Sequence, residues 1–148
     1  MAVRANNNPV KQKVFAYITH GDRLLVFRHT RFPRAGIQVP GGTLDPGEDP
    51  AAGVLREATE ETGLRKLEIV RLLGEKDVSF PSGMQHWRFY HLLHTGELHE
   101  RWIWHEDHPS GGGAPIEFEL YWVRISGRIP KLARGHDAFV DRLEIAGV

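Results

Sequence analysis

Residues Gly41 to Leu64 read GGTLDPGEDPAAGVLREATEETGL, and the reading of the whole chain turns on them. A glycine pair opens the stretch. Asp49 is a good N-cap, Pro50 suits the first helical position, where its missing N–H costs nothing, and Gly63 suits the left-handed position after the last turn. These signals predict a helix between Asp49 and Gly63. A helix advances about 100° per residue, so with Glu57 at zero, Glu61 lies at about +40° and Glu60 at about −60°. All three carboxylates share one arc, while Ala51, Leu55, Ala58 and Thr62 fall on another side that can face a core. Like charges crowded this closely are best tolerated where a cation sits between them, which makes the stretch a candidate hard-metal site.

The remainder of the chain supplies scaffold and substrate. At 148 residues it suits one domain with a sizeable core. Nineteen basic and nineteen acidic residues cancel, which argues against a general nucleic-acid or membrane-surface binder. Cysteine is absent, so disulfides, thiol catalysis and thiolate zinc sites are excluded. No run has the length of a membrane span and the N-terminus has no apolar signal core, so a cytoplasmic protein is expected. Oligomeric state is left open, a homodimer included.

Working outward, residues 1–10 (MAVRANNNPV) read as a flexible leader and 11–148 as a single domain. VFAYITH and RLLVF flank Gly21-Asp22 and predict a hairpin. Arg28, His29, Arg31 and Arg34 follow in a Pro- and Gly-containing loop, and an Arg there is well suited to a substrate phosphate. Ile37 to Val39 reads as a short strand running into Pro40-Gly41-Gly42. After the helix, strands are expected at Leu67–Leu73 with an extended path through Asp77–Phe80, at Gln85–His94, near Arg101–His105 and at Ile116–Ile125. His108 to Pro115 reads as a flexible connector. Leu132, Phe139, Val140 and Leu143 recur at roughly helical spacing, which predicts a packed helix over Lys131–Leu143. Many strands and two helices on one core imply an α+β or layered α/β/α domain.

A metal held only by carboxylates is of the Mg²⁺ or Mn²⁺ kind and commonly bridges protein to substrate phosphates. Gly41 and Gly42 would allow close backbone approach and unusual φ/ψ at the mouth of such a site. Arg56 stands eight residues after Glu48, and a pair between them would tie the loop to the helix.

Gly42, Glu48 and the run Arg56-Glu57-Ala58-Thr59-Glu60-Glu61-Thr62-Gly63-Leu64 resemble the Nudix box, with every glycine and charged position filled and only Ala58 smaller than usual. The resemblance extends more loosely from Val14 to Ile125. It implies an α/β/α sandwich with a mixed central sheet against which the box helix packs. It also implies divalent-cation-dependent cleavage of a nucleoside diphosphate linked to another moiety, by water attack on phosphorus. By position, Glu57, Glu60 and Glu61 would be metal ligands, Arg56 and Glu48 the orienting pair, and Gly42 a backbone contact to metal or substrate, with Gly41 beside it. The general base would be a box glutamate, with Glu106, Asp107, Glu117 and Glu119 as the later candidates; Glu117 or Glu119 would alternatively add a ligand. Rival readings are a Nudix-like nucleotide sensor without turnover and a hydrolase of RNA 5′ ends, the latter disfavoured by the neutral charge. Trp87, Trp102, Trp104 and Trp122 are expected in core or interface, with one of them, Phe80 or Tyr90 free to stack on a base.

Overall fold

A computed structural model describes residues 10–107, 113–127 and 129–144. Most of the expected leader (residues 1–9 of 1–10) and most of the expected connector (residues 108–112) lie outside the described residues. Strands β1 (Lys11–His20) and β2 (Arg23–His29) form the first hairpin, turning on Gly21, whose φ of 60° an L side chain adopts poorly. The order then runs β3 (Gly41–Thr43), α1 (Pro50–Thr62), β4 (Leu67–Phe80), β5 (Gly83–His94), β6 (Arg101–Glu106) and β7 (Ile116–Arg124).

All seven strands make one sheet, ordered β4-β5-β1-β2-β7-β6, with β3 pairing β1 off that path. The sheet is mixed, since β1 and β5 run parallel while the other pairs are antiparallel. β1 lies inside the sheet with both faces covered, which is why Val14 to Ile18 is a continuous apolar run rather than an alternating one. Val14, Ala16 and Ile18 face α1, against Val54, Ala58, Leu92 and Leu120. Phe15 and Tyr17 face the other way, against Phe89, Trp87 and Leu132. Ala58 and Thr62 are buried, with Ala51 and Leu55 packed at the margin, so the apolar side of α1 is the one its spacing predicts.

Two expectations are corrected. Residues 37–39 do not form a strand. Ile37 and Gln38 make only isolated bridges, to Leu132 and Phe27, and the strand begins after Pro40, at the glycines. The tail does not form a helix. It covers the second sheet face as the periodicity requires, with Leu132 buried and Phe139, Val140 and Leu143 packed beside it, but as two short 3₁₀ turns at Ala133–Gly135 and Val140–Arg142. Gly135 and Arg134 both take positive φ there. The buried Tyr17 hydroxyl donates to the His136 carbonyl and accepts from the Phe139 N–H at 3.2 Å, so tertiary bonds claim backbone groups that a helix would need. The layers are therefore α1, sheet and an irregular tail, with one α-helix among the described residues. Among the described residues no helix is long and apolar enough to cross a membrane.

The tail is fastened by a buried histidine. His136 lies edge-on to Phe15 at 4.8 Å, and its Nδ1 accepts from the Val39 N–H at 3.1 Å. Burial pushes its pKa down to about 4. Below its ordinary value of 6.5, the unfolded chain takes up a proton that the native ring refuses until about 4, so stability falls as pH falls through that window. His136→Asn retains an acceptor and cannot titrate. Its stability deficit against wild type, read by urea unfolding, is expected to shrink by about 3 kcal/mol between pH 7 and pH 4.

Candidate active site

The loop into α1 and the first turns of the helix are locked by one guanidinium. Glu48 accepts from Arg56 through both oxygens, Nε at 2.7 Å and Nη2 at 2.8 Å, and its Oε1 also accepts from the Asp45 N–H at 3.0 Å. These bonds hold the Glu48 pKa down to about 2. Arg56 Nη1 continues to Glu57 at 3.0 Å and Glu60 at 3.1 Å, and Nη2 to the Thr43 carbonyl at 3.4 Å. The expected caps are present: Asp49 accepts from the Ala52 N–H, and Gly63 is left-handed with its N–H on the Thr59 carbonyl.

The glycine pair works differently from the expectation of unusual backbone angles. Gly41 and Gly42 have ordinary extended backbone in β3, paired with Phe15 and Val14. Space is the constraint. A Cβ on Gly42 would overlap the Glu57 carboxylate, and one on Gly41 would meet the Val14 carbonyl and the Phe15 ring.

Four carboxylates converge behind this edge. Glu57 is buried at 3% exposure, Glu61 is buried with Oε1 accepting from the Gly41 N–H at 3.4 Å, and Glu60 is more open. Glu106 reaches them from the end of β6, so that one oxygen each of Glu57, Glu60 and Glu106 lies within 4.8 Å of the others. Burial, then the neighbouring Glu60 and Glu106 against the opposing Arg56, pushes Glu57 up to about 7. Burial, Glu106 and Glu57 push Glu61 well above the usual carboxylate range. Burial and then Glu60 raise Glu106. Oxygen donors only, desolvated and mutually repelling, suit a hard divalent cation.

Glu106 owes its position to two tryptophans on the same face of β6. The indole N–H of Trp102 donates to the Thr62 carbonyl at 2.9 Å and that of Trp104 to the Glu60 carbonyl at 2.7 Å. These carbonyls belong to the last turn of α1 and lack helical partners. Residues two apart share a strand face, so the pairing that docks Trp102 and Trp104 on the helix delivers Glu106 to its acids.

A cleft of about 900 Å³ opens from Glu61 and Glu106. Phe15, Phe27, Phe80, Trp87 and Phe118 give it apolar walls, and Lys13, His29, Gln38, Gln85, Arg134 and His136 are its other polar lining. Lys13 Nζ donates to Thr43 Oγ1 at 3.2 Å beside Glu57 and Glu61. Sequence reasoning passed over Lys13 and Arg134, whose relevance comes only from β1 and the tail folding to one place. Of the basic loop, His29 lines the cleft, while Arg28 pairs with Glu119 at 3.2 Å and Arg31 and Arg34 are not among the lining residues. Glu119 also binds Arg101. Glu117 accepts from Thr30 at 2.6 Å and His105 at 2.9 Å, so both β7 acids are engaged away from the cluster; Asp107 follows Glu106 just beyond β6.

Comparison with known proteins agrees with this geometry. The model of the NUDIX domain family matches residues 10–143. Human diphosphoinositol polyphosphate phosphohydrolase 3-beta is 30% identical over 129 residues, covering 85% of this chain and 71% of that protein. Mouse diphosphoinositol polyphosphate phosphohydrolase 2 is 33% identical over 81 residues, 55% of this chain and 42% of that protein. Among solved structures, a UDP-X diphosphatase superposes with a TM-score of 0.64 at 19% identity, covering 93% of this chain and 63% of that one. A MutT NUDIX hydrolase from Burkholderia pseudomallei gives 0.63 at 21% identity, over 93% of this chain and all of that one. The two structural likenesses speak for the fold, and the family match together with the human relative for descent. The chain belongs to the NUDIX family and is a Nudix hydrolase acting on phosphoanhydride bonds.

Proposed function

We propose that this pyrophosphohydrolase cleaves the diphosphate of a nucleoside diphosphate linked to another moiety, by divalent-cation-dependent attack of water on phosphorus. The observation that carries the reading is the carboxylate cluster of Glu57, Glu60 and Glu106, with Glu61 beside it, at one end of an aromatic-walled cleft. Glu57, Glu60 and Glu106 would hold a Mg²⁺ or Mn²⁺ ion, with Glu61 a further box ligand where a second ion is present. The bound ion supplies charge neutralisation at the phosphates and acidifies water. Arg56 and Glu48 orient the box glutamates, and Gly42 leaves room for Glu57. Glu61, the box glutamate that lines the cleft, is the one placed to take the proton of the attacking water.

The names of the matched relatives raise a densely phosphorylated inositol ring as the second candidate substrate. Such a ring needs many cations around it, as each phosphate asks for a Lys or Arg partner. The described lining of the cleft offers two, Lys13 and Arg134, and Lys13 already stands between Thr43 and the acids. Phe80 and Trp87, with ring centroids 6.3 Å apart in the same lining, favour a planar, weakly charged group instead.

A panel of diphosphate compounds with Mg²⁺ or Mn²⁺, read by mass spectrometry, is expected to give turnover of nucleoside diphosphate derivatives in preference to diphosphoinositol polyphosphates; the reverse order would overturn the substrate assignment. Glu61→Gln is expected to lower kcat at saturating metal by about 10²-fold or more. Glu60→Gln and Glu106→Gln should instead raise the metal concentration needed for half-activity, and unchanged metal dependence in both would remove the ligand assignment.

Cation affinity should also depend on pH. With Glu57 at about 7 in the absence of metal, a proton competes with the ion at and below neutrality. Mn²⁺ affinity measured by calorimetry is expected to weaken as pH falls from 8 to 6, with proton release on binding.

A further inference from the structure

Arg134 is the one non-glycine residue with positive φ among the described residues, at φ 57° and ψ 27°. The left-handed region disfavours any residue with a Cβ, and persists where the surroundings over-determine it. Here they do. Leu132 is paired with Ile37, the Ala133 N–H bonds the Ile37 carbonyl at 2.7 Å, and His136 is seated against Phe15 and Val39. The chain must reverse between these anchors, and the residue at the reversal carries a long cationic side chain rather than the glycine that follows it. That side chain lines the cleft, and it makes no hydrogen bond or ion pair with any described residue.

A second, independent observation lies in the same cleft. His29, at the end of β2, has its ring edge-on to Phe118 at 5.0 Å and Phe27 at 5.8 Å. Its Nδ1 is buried, with no hydrogen-bond partner among the described residues. Buried polar atoms are nearly always paired, so an orphan in a substrate cleft marks a place for a ligand atom. Burial, and then the charge of Arg134, lowers the pKa of this ring, which leaves it neutral and able to form one hydrogen bond without a charge penalty.

We propose that Arg134 and His29 form the recognition end of the cleft, the Arg134 guanidinium binding a phosphate oxygen of the substrate and His29 Nδ1 bonding a neutral polar group of the moiety attached to it. The inference rests on the nucleoside diphosphate reading given above. The carboxylates provide the chemistry, and this pair provides the grip within the same cleft. Arg134 is exposed, which leaves its guanidinium open to an incoming phosphate.

Arg134→Gly removes the guanidinium and relieves the backbone, so a purely structural role predicts an unchanged or higher Tm with unchanged binding. The subsite instead predicts an unchanged or higher Tm with KM for ADP-ribose or UDP-glucose, whichever the wild type turns over, raised about tenfold and kcat within about twofold. His29→Phe keeps the aromatic packing and should likewise raise KM. Calorimetric Kd for Mn·ADP is measured on the same proteins and should weaken with KM in Arg134→Gly. If KM and Kd stay at wild-type values in Arg134→Gly, the subsite is wrong. A wild type that binds Mn·ADP yet hydrolyses no compound would overturn the catalytic reading, while a weakened Kd in Arg134→Gly would still support the subsite. Absence of Mn·ADP binding by the wild type would overturn both.

Discussion

The Arg56 guanidinium is the point on which the rest of the site depends. It holds Glu48 through a fork, touches Glu57 and Glu60, and reaches the Thr43 carbonyl, so that loop, edge strand and helix meet on one cation. Charge-assisted bidentate pairs fix direction as well as distance, and here they fix the direction of the acids. Yet one guanidinium does not balance what surrounds it. Even against Arg56, burial and two neighbouring carboxylates carry Glu57 to about 7, and Glu61 is raised well beyond its usual range. The local structure is thus rigid and electrostatically incomplete together, which is the condition for capturing a divalent ion without collapsing around it.

The fourth acid shows how sheet register becomes chemistry. Glu106 is far from the helix in sequence and pairs across β6–β7 with Ile116. What brings it home is the pair of indole N–H groups on the α1 carbonyls of Thr62 and Glu60. A slip of one residue in β6 would turn Trp102, Trp104 and Glu106 to the opposite face at once. The helix end therefore has its orphan carbonyls satisfied and the carboxylate cluster its extra member by one and the same docking.

The helix, its caps, the first hairpin, the strands after the helix and the Glu48–Arg56 pair were legible because each is written in neighbouring residues or at helical spacing. The glycines were legible as points of close approach, while the unusual backbone angles expected with them are absent. Their backbone is ordinary, and what they spare is the volume taken by Glu57 and Phe15, which a one-dimensional reading has no means to see. The tail showed helical periodicity and formed 3₁₀ turns, because periodicity reports only which side is buried; Tyr17 and His136 decided the backbone path. Trp102 and Trp104 read as core or interface side chains, whereas their working part is the indole N–H. Lys13, His29 and Arg134 had no shared local signal, since they come from three separate segments.

The cleft itself follows from a conflict over one strand. β1 pairs with β2 only at Thr19 and His20, while its Lys13–Phe15 portion pairs with β3 on the same side. The Ala16 N–H, at the junction, goes to the Pro40 carbonyl at 2.8 Å. Two strands cannot occupy one edge, so β2 diverges from β1 and pairs instead with Gln38 at Phe27 and with β7 along its length. The wedge between them is walled by Phe15 from β1 and by Phe27 and His29 from β2, and β3 sets its glycines at the mouth. Glycine at 41 and 42 is what lets β3 fit that close to β1 and Glu57. The same short strand therefore splits the sheet to open the cleft and leaves space for the buried Glu57 carboxylate.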